Sequence, residues 1–347
     1  MPTAKRDIRD LSYEELTAFL DPLGEPQYRV DQIFDWLYKK NVRDFSQMSN
    51  LSQALREELA KVFSCTELKV VERHVAVDGT AKFLFGLHDD ERVETVLIPT
   101  PDRATVCVST QAGCKFRCQF CASGIAGWDR NLSCGEIVGQ ILYARDQSPE
   151  QTLSNIVFMG VGEPLDNYDN LIKAIRILND ERGPSIGARR ITISTCGLVP
   201  QIKKLAAENL QVELAVSLHG SNNEIRSQLM PVNKKYPLPE LVQACRDYIQ
   251  LTNRQVTFEY ILIKNLTCTE QAANELGELL KGMICRVNLI PYNRVEEYPH
   301  ETPSKMEILL FQDKLTRLGV HSTVRTPRGR DAAAACGQLR HARRQKL

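Results

Sequence analysis

The chain lacks what an exported or membrane-bound protein carries. No stretch of its 347 residues approaches the roughly 18 apolar positions of a spanning helix, and the opening Met-Pro-Thr-Ala-Lys-Arg-Asp-Ile-Arg-Asp has no apolar segment of signal-peptide type. A cytoplasmic protein with no membrane partner is expected. Charge of either sign is not in excess: 44 basic side chains meet 43 acidic ones, a net +1. That balance carries no nucleic-acid signal, so any affinity for RNA must reside in local patches. Internal repeats and low-complexity linkers are absent too, and the length suits one large domain plus a smaller one.

Cysteine, by contrast, is abundant, with eleven residues. Without an export signal these point to metal or redox chemistry rather than a disulfide framework, because the cytosol keeps thiols reduced. Cys65, Cys134, Cys196, Cys245, Cys268 and Cys285 follow no ligand pattern and read as small core side chains. Cys114, Cys118 and Cys121 differ: they form C-x3-C-x2-C within Gly113-Cys-Lys-Phe-Arg-Cys-Gln-Phe-Cys-Ala122. A structural zinc site or a closed iron–sulfur cluster normally takes four protein ligands, so a tight trio suggests a centre with one open position. Cys107 lies seven residues upstream as a candidate fourth ligand, and on spacing alone a closed zinc site stays open as an alternative.

Residues 12–20, 27–40 and 47–62 carry helical periodicity and read as a small helical module. Segments 68–75 and 81–87 flank Asp78-Gly79, a good hairpin turn, and 92–98 reads as a third strand. Residues 1–100 are taken as an accessory α+β domain with its junction, and 101–347 as the core. In that core, strand-like runs at 105–109, 155–159, 190–194, 213–217, 256–263 and 286–290 alternate with helical patterns at 135–145, 167–180, 199–208, 238–252, 270–281 and 305–318. Six strand–helix units predict a parallel α/β architecture. The cysteine loop, Gly160-Val-Gly-Glu-Pro164, Ser194-Thr-Cys-Gly197, Ser217-Leu-His219 and Pro291-Tyr-Asn293 each follow a strand. Motifs gathered at C-terminal strand ends favour a barrel-like layout over a dinucleotide fold, which would place Gly-x-Gly-x-x-Gly where the cysteine loop stands.

Two basic stretches could supply local patches. The C-terminal one holds Arg325, Arg328, Arg330, Arg340, Arg343, Arg344 and Lys346 against a single acid, Asp331, and is equally readable as a solvated tail or a phosphate contact. In segment 28–40, Phe34, Trp36 and Tyr38 interleave with Arg29, Lys39 and Lys40, and there the aromatics read as core.

The cysteine trio is similar to the signature of the radical S-adenosylmethionine (SAM) superfamily. In order and spacing, Arg92-Val-Glu-Thr95, Arg130-Asn-Leu132, Gly160 to Pro164, Ser217-Leu-His219, Pro231-Val-Asn-Lys-Lys-Tyr236, Asn288-Leu-Ile-Pro291 and Ala335-Cys-Gly-Gln-Leu339 resemble the RlmN/Cfr family of radical SAM RNA methyltransferases. The resemblance implies a partial (β/α)6 barrel with an N-terminal RNA-binding module. Cys114, Cys118 and Cys121 would hold a 4Fe-4S cluster whose fourth iron chelates SAM. Gly162, Glu163, Ser194, Ser217, Leu218, His219 and Asn293 would line the SAM pocket. Cys336 would accept a methyl group from one SAM, and a 5'-deoxyadenosyl radical from a second would activate that methyl for addition to adenine. Glu94 would remove the ring proton, and Cys107 would release the product by forming a disulfide with Cys336.

The implied partners are 23S ribosomal RNA, with transfer RNA as a further substrate, and an electron donor such as flavodoxin or ferredoxin. The sequences Gly-Glu-Pro164 and Arg328-Gly-Arg-Asp331 look more like the adenine-C2 branch than the resistance-conferring C8 branch. Val161 and Ala332 to Ala334 depart from the family's usual residues. From another class, a non-catalytic zinc-thiolate RNA-binding protein would use Cys107, Cys114, Cys118 and Cys121.

Overall fold

The computed structural model describes residues 5–65, 68–125, 127–148, 152–326 and 328–339, without the side chain of Arg330. Arg340, Arg343, Arg344 and Lys346 of the basic stretch lie outside the described residues.

Three helices open the chain: α1 (Tyr13–Leu20), α2 (Tyr28–Phe34) and α3 (Gln53–Val62). The first starts where the Ser12 hydroxyl accepts the Glu15 N–H while Glu15 takes the Ser12 N–H, satisfying two orphan donors reciprocally. The third begins at Gln53 rather than near residue 47, because the Ser52 hydroxyl accepts the Leu55 N–H and fixes the start there. Leu16, Ile33, Phe34 and Leu59 face inward and join one contiguous core with the strands that follow. Phe34 and Tyr38 are core residues as expected, whereas Trp36 is half-buried beneath Lys40, whose ammonium lies 3.6 Å from the ring centre.

The remainder is organised by one ten-stranded sheet. Strands β1 (Lys69–Val75), β2 (Ala81–Gly86), β3 (Arg92–Pro99) and β4 (Ala104–Cys107) run antiparallel in succession. From β4 onward the pairing is parallel, through β5 (Leu153–Phe158), β6 (Ile191–Thr195), β7 (Glu213–Ser217), β8 (Val256–Leu262), β9 (Cys285–Pro291) and β10 (Ser322–Val324). Spatial order equals chain order, and the edge strands β1 and β10 do not pair with each other. The result is an open barrel.

Helices α4 (Cys134–Asp146), α5 (Tyr168–Asn179), α6 (Val199–Ala206), α7 (Asn223–Leu229), α8 (Leu238–Thr252), α9 (Glu270–Leu280) and α10 (Lys305–Arg317) lie between or after the parallel strands. Every residue of β8 is buried, as in a strand covered on both faces, whereas β6 (Ile-Thr-Ile-Ser-Thr) and β9 alternate buried with partly exposed positions. The α/β barrel of six strand–helix units predicted from sequence is present. Strands β1 to β3, grouped above with the N-terminal unit, extend the same sheet, with Val96 of β3 opposite Cys107 of β4.

Candidate active site

All five strand-end motifs meet at one mouth of the barrel, around an open cleft of about 990 Å³ counting the solvent at its entrance. Cys114, Cys118 and Cys121 enter it from the loop after β4. The loop is closed on itself: the Cys114 N–H donates to the Gly127 carbonyl at 2.8 Å and the Cys121 N–H to Cys118 at 3.2 Å. Gly113 adopts φ of +82°, and a Cβ there would collide with the Gly127 carbonyl, so only glycine admits this closure. Burial pushes the Cys114 thiol up to about 12, with Cys121 adding to it, and holds Cys118 well above the usual thiol range.

In the wall of the same cavity, the turn after β5 carries Gly162 and Glu163. A Cβ on Gly162, whose φ is +103°, would lie 2.5 Å from the Cβ of Gln111, and the Gln111 amide oxygen accepts the Glu163 N–H at 2.8 Å. The Glu163 carboxylate is itself engaged, accepting the N–H groups of Leu165 at 3.1 Å and Cys196 at 2.7 Å. It thereby fastens the end of β5 to the end of β6. Burial pushes its proton affinity up, and the backbone donors oppose this.

Ser194, Ser217, His219 and Asn293 also line the cavity. His219 is buried at φ +52°, and its Nδ1 accepts the Ile261 N–H at 3.1 Å. Burial, and then the nearby Arg226 charge, lower its proton affinity to about 3, so the ring is neutral at physiological pH. Leu218, assigned to the same pocket, is fully buried outside the cavity lining and donates its N–H to the Glu259 carbonyl at 3.0 Å.

The closing segment returns to this mouth. The Ala122 N–H donates to the Gly337 carbonyl at 2.8 Å, Ser123 Oγ to Leu339 at 2.8 Å and Asn293 Nδ2 to Cys336 at 3.1 Å. Its other side rests on the β1–β2 hairpin, where Asp78 accepts the Gly329 N–H at 3.1 Å and Asp331 accepts the Val77 N–H at 2.9 Å. Cys336 is exposed to the cavity.

Cys107 is buried behind Cys336, packed with Val96, Val161, Ala334 and Leu339. Burial, followed by the adjacent Cys336, pushes its thiol up to about 12. Both are free thiols, with no disulfide between them. Val161 and Ala334, two departures from the family pattern, are therefore packing neighbours around Cys107. Glu94 on β3 is not part of the cavity lining. It is buried against Lys82 at 2.9 Å, and the same ammonium donates to the Ala333 carbonyl at 3.3 Å, beneath the Cys336 segment.

Residues 6–65 match the family model for the ribosomal RNA large subunit methyltransferase N-terminal domain, and residues 108–274 match that of the radical SAM superfamily. A probable dual-specificity RNA methyltransferase RlmN of Dictyoglomus turgidum is 49% identical, covering 95% of this chain and 96% of its own. The homologous protein of Bacillus thuringiensis is 46% identical over 100% of this chain and 96% of its own. A radical SAM methyltransferase crystal structure from Sphaerobacter thermophilus superposes with a TM-score of 0.92 at 46% identity, covering 96% of this chain and 99% of that one. The chain belongs to the RlmN family of radical SAM RNA methyltransferases. It is a SAM-dependent RNA methyltransferase with the radical SAM fold.

The family implies a 4Fe-4S cluster and SAM, and the donor set of this RlmN-family member fits them. Three thiols from one loop share a cavity with ample room beside them. Among the described residues, no three His, Cys, Asp or Glu side chains converge closely enough to hold a single metal ion. Cys107 is grouped by packing and charge with Cys336, not with the trio, which disfavours a closed four-thiolate zinc site. Buried, mutually repelling thiols that ionise poorly alone are stabilised as thiolates by a cationic centre.

Several residues were missed by sequence reasoning. Arg226 is fully buried and ties two strand-end loops to the turn between α7 and α8, donating to Cys196 O at 2.7 Å, Leu218 O at 3.1 Å and Asn233 Oδ1 at 2.8 Å. Arg325, expected to belong to a basic surface stretch, instead lines the cavity 3.6 Å from the Glu259 carboxylate. The alternation of Asn-Glu-Ile-Arg-Ser-Gln on α7 hides the first, and the apolar run of β8 hides Glu259.

Proposed function

We propose that this enzyme methylates C2 of adenine in 23S ribosomal RNA and in transfer RNA through a methylated Cys336. The observation that carries the reading is the gathering of roles at one mouth: Cys336 facing the cavity, Cys107 packed near it, and the cysteine loop tied to the Cys336 segment by the Ala122 to Gly337 hydrogen bond. C2 of adenine is too electron-poor to attack a methyl sulfonium, so the methyl group must reach it by way of the protein. The bound cluster and SAM supply a carbon radical that abstracts hydrogen. This chain's residues do the rest.

The Cys336 thiolate takes the methyl group and presents it within the cavity. Arg325 lies beside it and favours the thiolate, opposing the desolvation by the surrounding cavity walls that raises Cys336 although its sulfur opens onto the cavity. Glu94 accepts the ring proton, and Lys82 orients its carboxylate. Once the adduct has given up its unpaired electron to the electron-transfer partner, the Cys107 thiolate attacks the Cys336 sulfur: an S–S bond forms, the S–CH2 bond breaks, the released carbon takes a proton to become the methyl group on the RNA, and the cell reduces the transient disulfide. The backbone of Gly162 and Glu163, with Ser194, Ser217, His219 and Asn293, orients SAM. Because the Glu163 side chain is occupied by Leu165 and Cys196, it acts chiefly by shaping the turn.

We assign RNA docking to the N-terminal unit, delimited with its junction at residues 1–100, and the radical SAM core to 101–347, with Glu94 contributed to catalysis from the junction strand β3. Flavodoxin or ferredoxin is the proposed reductant, and the cytoplasm, where RNA resides, the proposed location. Among the described residues no helix is long and apolar enough to cross a membrane. The relatives' dual-specificity name supports two RNA classes as substrates.

The test uses Cys107→Ala and Cys336→Ala. The first should accumulate a protein–RNA adduct resolvable on a denaturing gel, and the second should give neither adduct nor product. Free product at normal yield from Cys107→Ala would overturn the assignment.

A further inference from the structure

One buried charge in the cavity wall is half unsatisfied. Glu259 projects from β8, is only 4% exposed and lines the cavity with Arg325 and Cys336. Its Oε1 accepts the Asn288 side-chain N–H at 2.8 Å and faces Arg325 at 3.6 Å. Its Oε2 is buried with no hydrogen-bond partner. A buried carboxylate oxygen left without a donor is costly, and such groups recur where a ligand supplies the donor.

Register identifies the ligand side. Glu259 lies directly opposite Ser217 on β7 and Asn288 on β9. Its own carbonyl accepts the N–H groups of Leu218 at 3.0 Å and His219 at 3.3 Å, so Glu259 is stitched to the segment assigned above to SAM. On its other side stands Cys336, whose sulfur must come close to the 5' carbon of SAM for hydrogen abstraction from its methyl group. The donors nearest that carbon are the hydroxyls of the same ribose. Carboxylates hold ribose hydroxyls well because both lone pairs of an oxygen accept.

Resting on the placement of SAM in this cavity, we infer that Glu259 is a further SAM-binding residue, its Oε2 accepting a hydrogen bond from a ribose hydroxyl. Arg325 and Asn288 hold the other oxygen and set the carboxylate plane. Sequence alone does not suggest this role, since Glu259 is embedded in the apolar run Val-Thr-Phe-Glu-Tyr-Ile-Leu.

The test is equilibrium binding of SAM to the cluster-loaded protein, with no turnover required. The expected result is a Kd about tenfold weaker for Glu259→Gln, whose amide presents N–H groups where a hydroxyl donor arrives. The wild-type chain should lose about the same factor on replacing SAM by its 2'- or 3'-deoxy analogue, a measurement that depends on no variant. In Glu259→Gln that analogue should lose little further. Equal binding of SAM and both analogues by the wild-type chain, or an undiminished analogue penalty in the variant, would overturn the inference. Failure of the wild-type chain to bind SAM at all would overturn the underlying placement instead, and with it this role.

Discussion

Replacing Arg226 by Met would remove the guanidinium that joins two strand-end loops to the turn between α7 and α8, while keeping an unbranched apolar stem. Three close hydrogen bonds are lost, at 2.7 Å to Cys196 O, 2.8 Å to Asn233 Oδ1 and 3.1 Å to Leu218 O. The Leu218 carbonyl keeps one donor, the Gly220 N–H at 2.8 Å. The other two acceptors lose a charged donor, each at about 1–3 kcal/mol. Relief of the buried cation offsets part of this, since burial already disfavours the charge on Arg226. The net expectation is about 3–4 kcal/mol, a large share of the roughly 5–15 kcal/mol that stabilises a domain. Arg226→Lys should rescue little, because one ammonium cannot span three divergent acceptors. Urea unfolding of the cluster-free chain measures the loss, and SAM binding to the loaded chain should weaken in parallel. A loss under about 1 kcal/mol would refute the view that Arg226 organises these loops.

Three further outcomes follow from the site. His219 has its proton affinity lowered to about 3, so the unfolded chain takes up this proton first as pH falls. Its stabilising contribution is full above about pH 6.5 and declines toward pH 3, by up to about 1.4 kcal/mol per pH unit. His219→Asn should flatten the measured stability–pH slope in that window, and an unchanged slope would contradict the assignment. Lys82→Met removes the ammonium from beside the buried Glu94 carboxylate and from the Ala333 carbonyl, costing about 2–3 kcal/mol, and the double variant Lys82→Met with Glu94→Gln should recover most of it in thermal unfolding. Cys118→Ala should take up far less iron on anaerobic reconstitution and lose the brown chromophore, whereas Cys285→Ala, remote from the cavity, should load normally.

The fold was legible where one physical signal dominated. The alternation of β6 and β9 announces strands with one face in the core, the largely apolar β8 a strand buried throughout, and Asp78-Gly79 the hairpin. The short edge strand Ser322–Val324 and the seven-residue α7 were missed, being too brief to show a period. At the site, the cysteine spacing was legible because the ligands come from one loop. The Lys82–Glu94 pair and the seat of the Cys336 segment on the β1–β2 hairpin were not, because they join positions far apart in the chain. Spacing reports which residues share a face of one element. It does not report which distant element supplies the partner, and so the buried charges Arg226 and Glu259 passed as an ordinary helix and strand.

The central claim is the reaction itself, and nucleoside mass spectrometry addresses it most directly. Ribosomal and transfer RNA would be compared from a host lacking its own C2 methylase, with and without this chain. The account predicts 2-methyladenosine in both RNA fractions, lost in Cys336→Ala. A gain of 8-methyladenosine alone, or no new methyladenosine from a cluster-loaded enzyme, would contradict it.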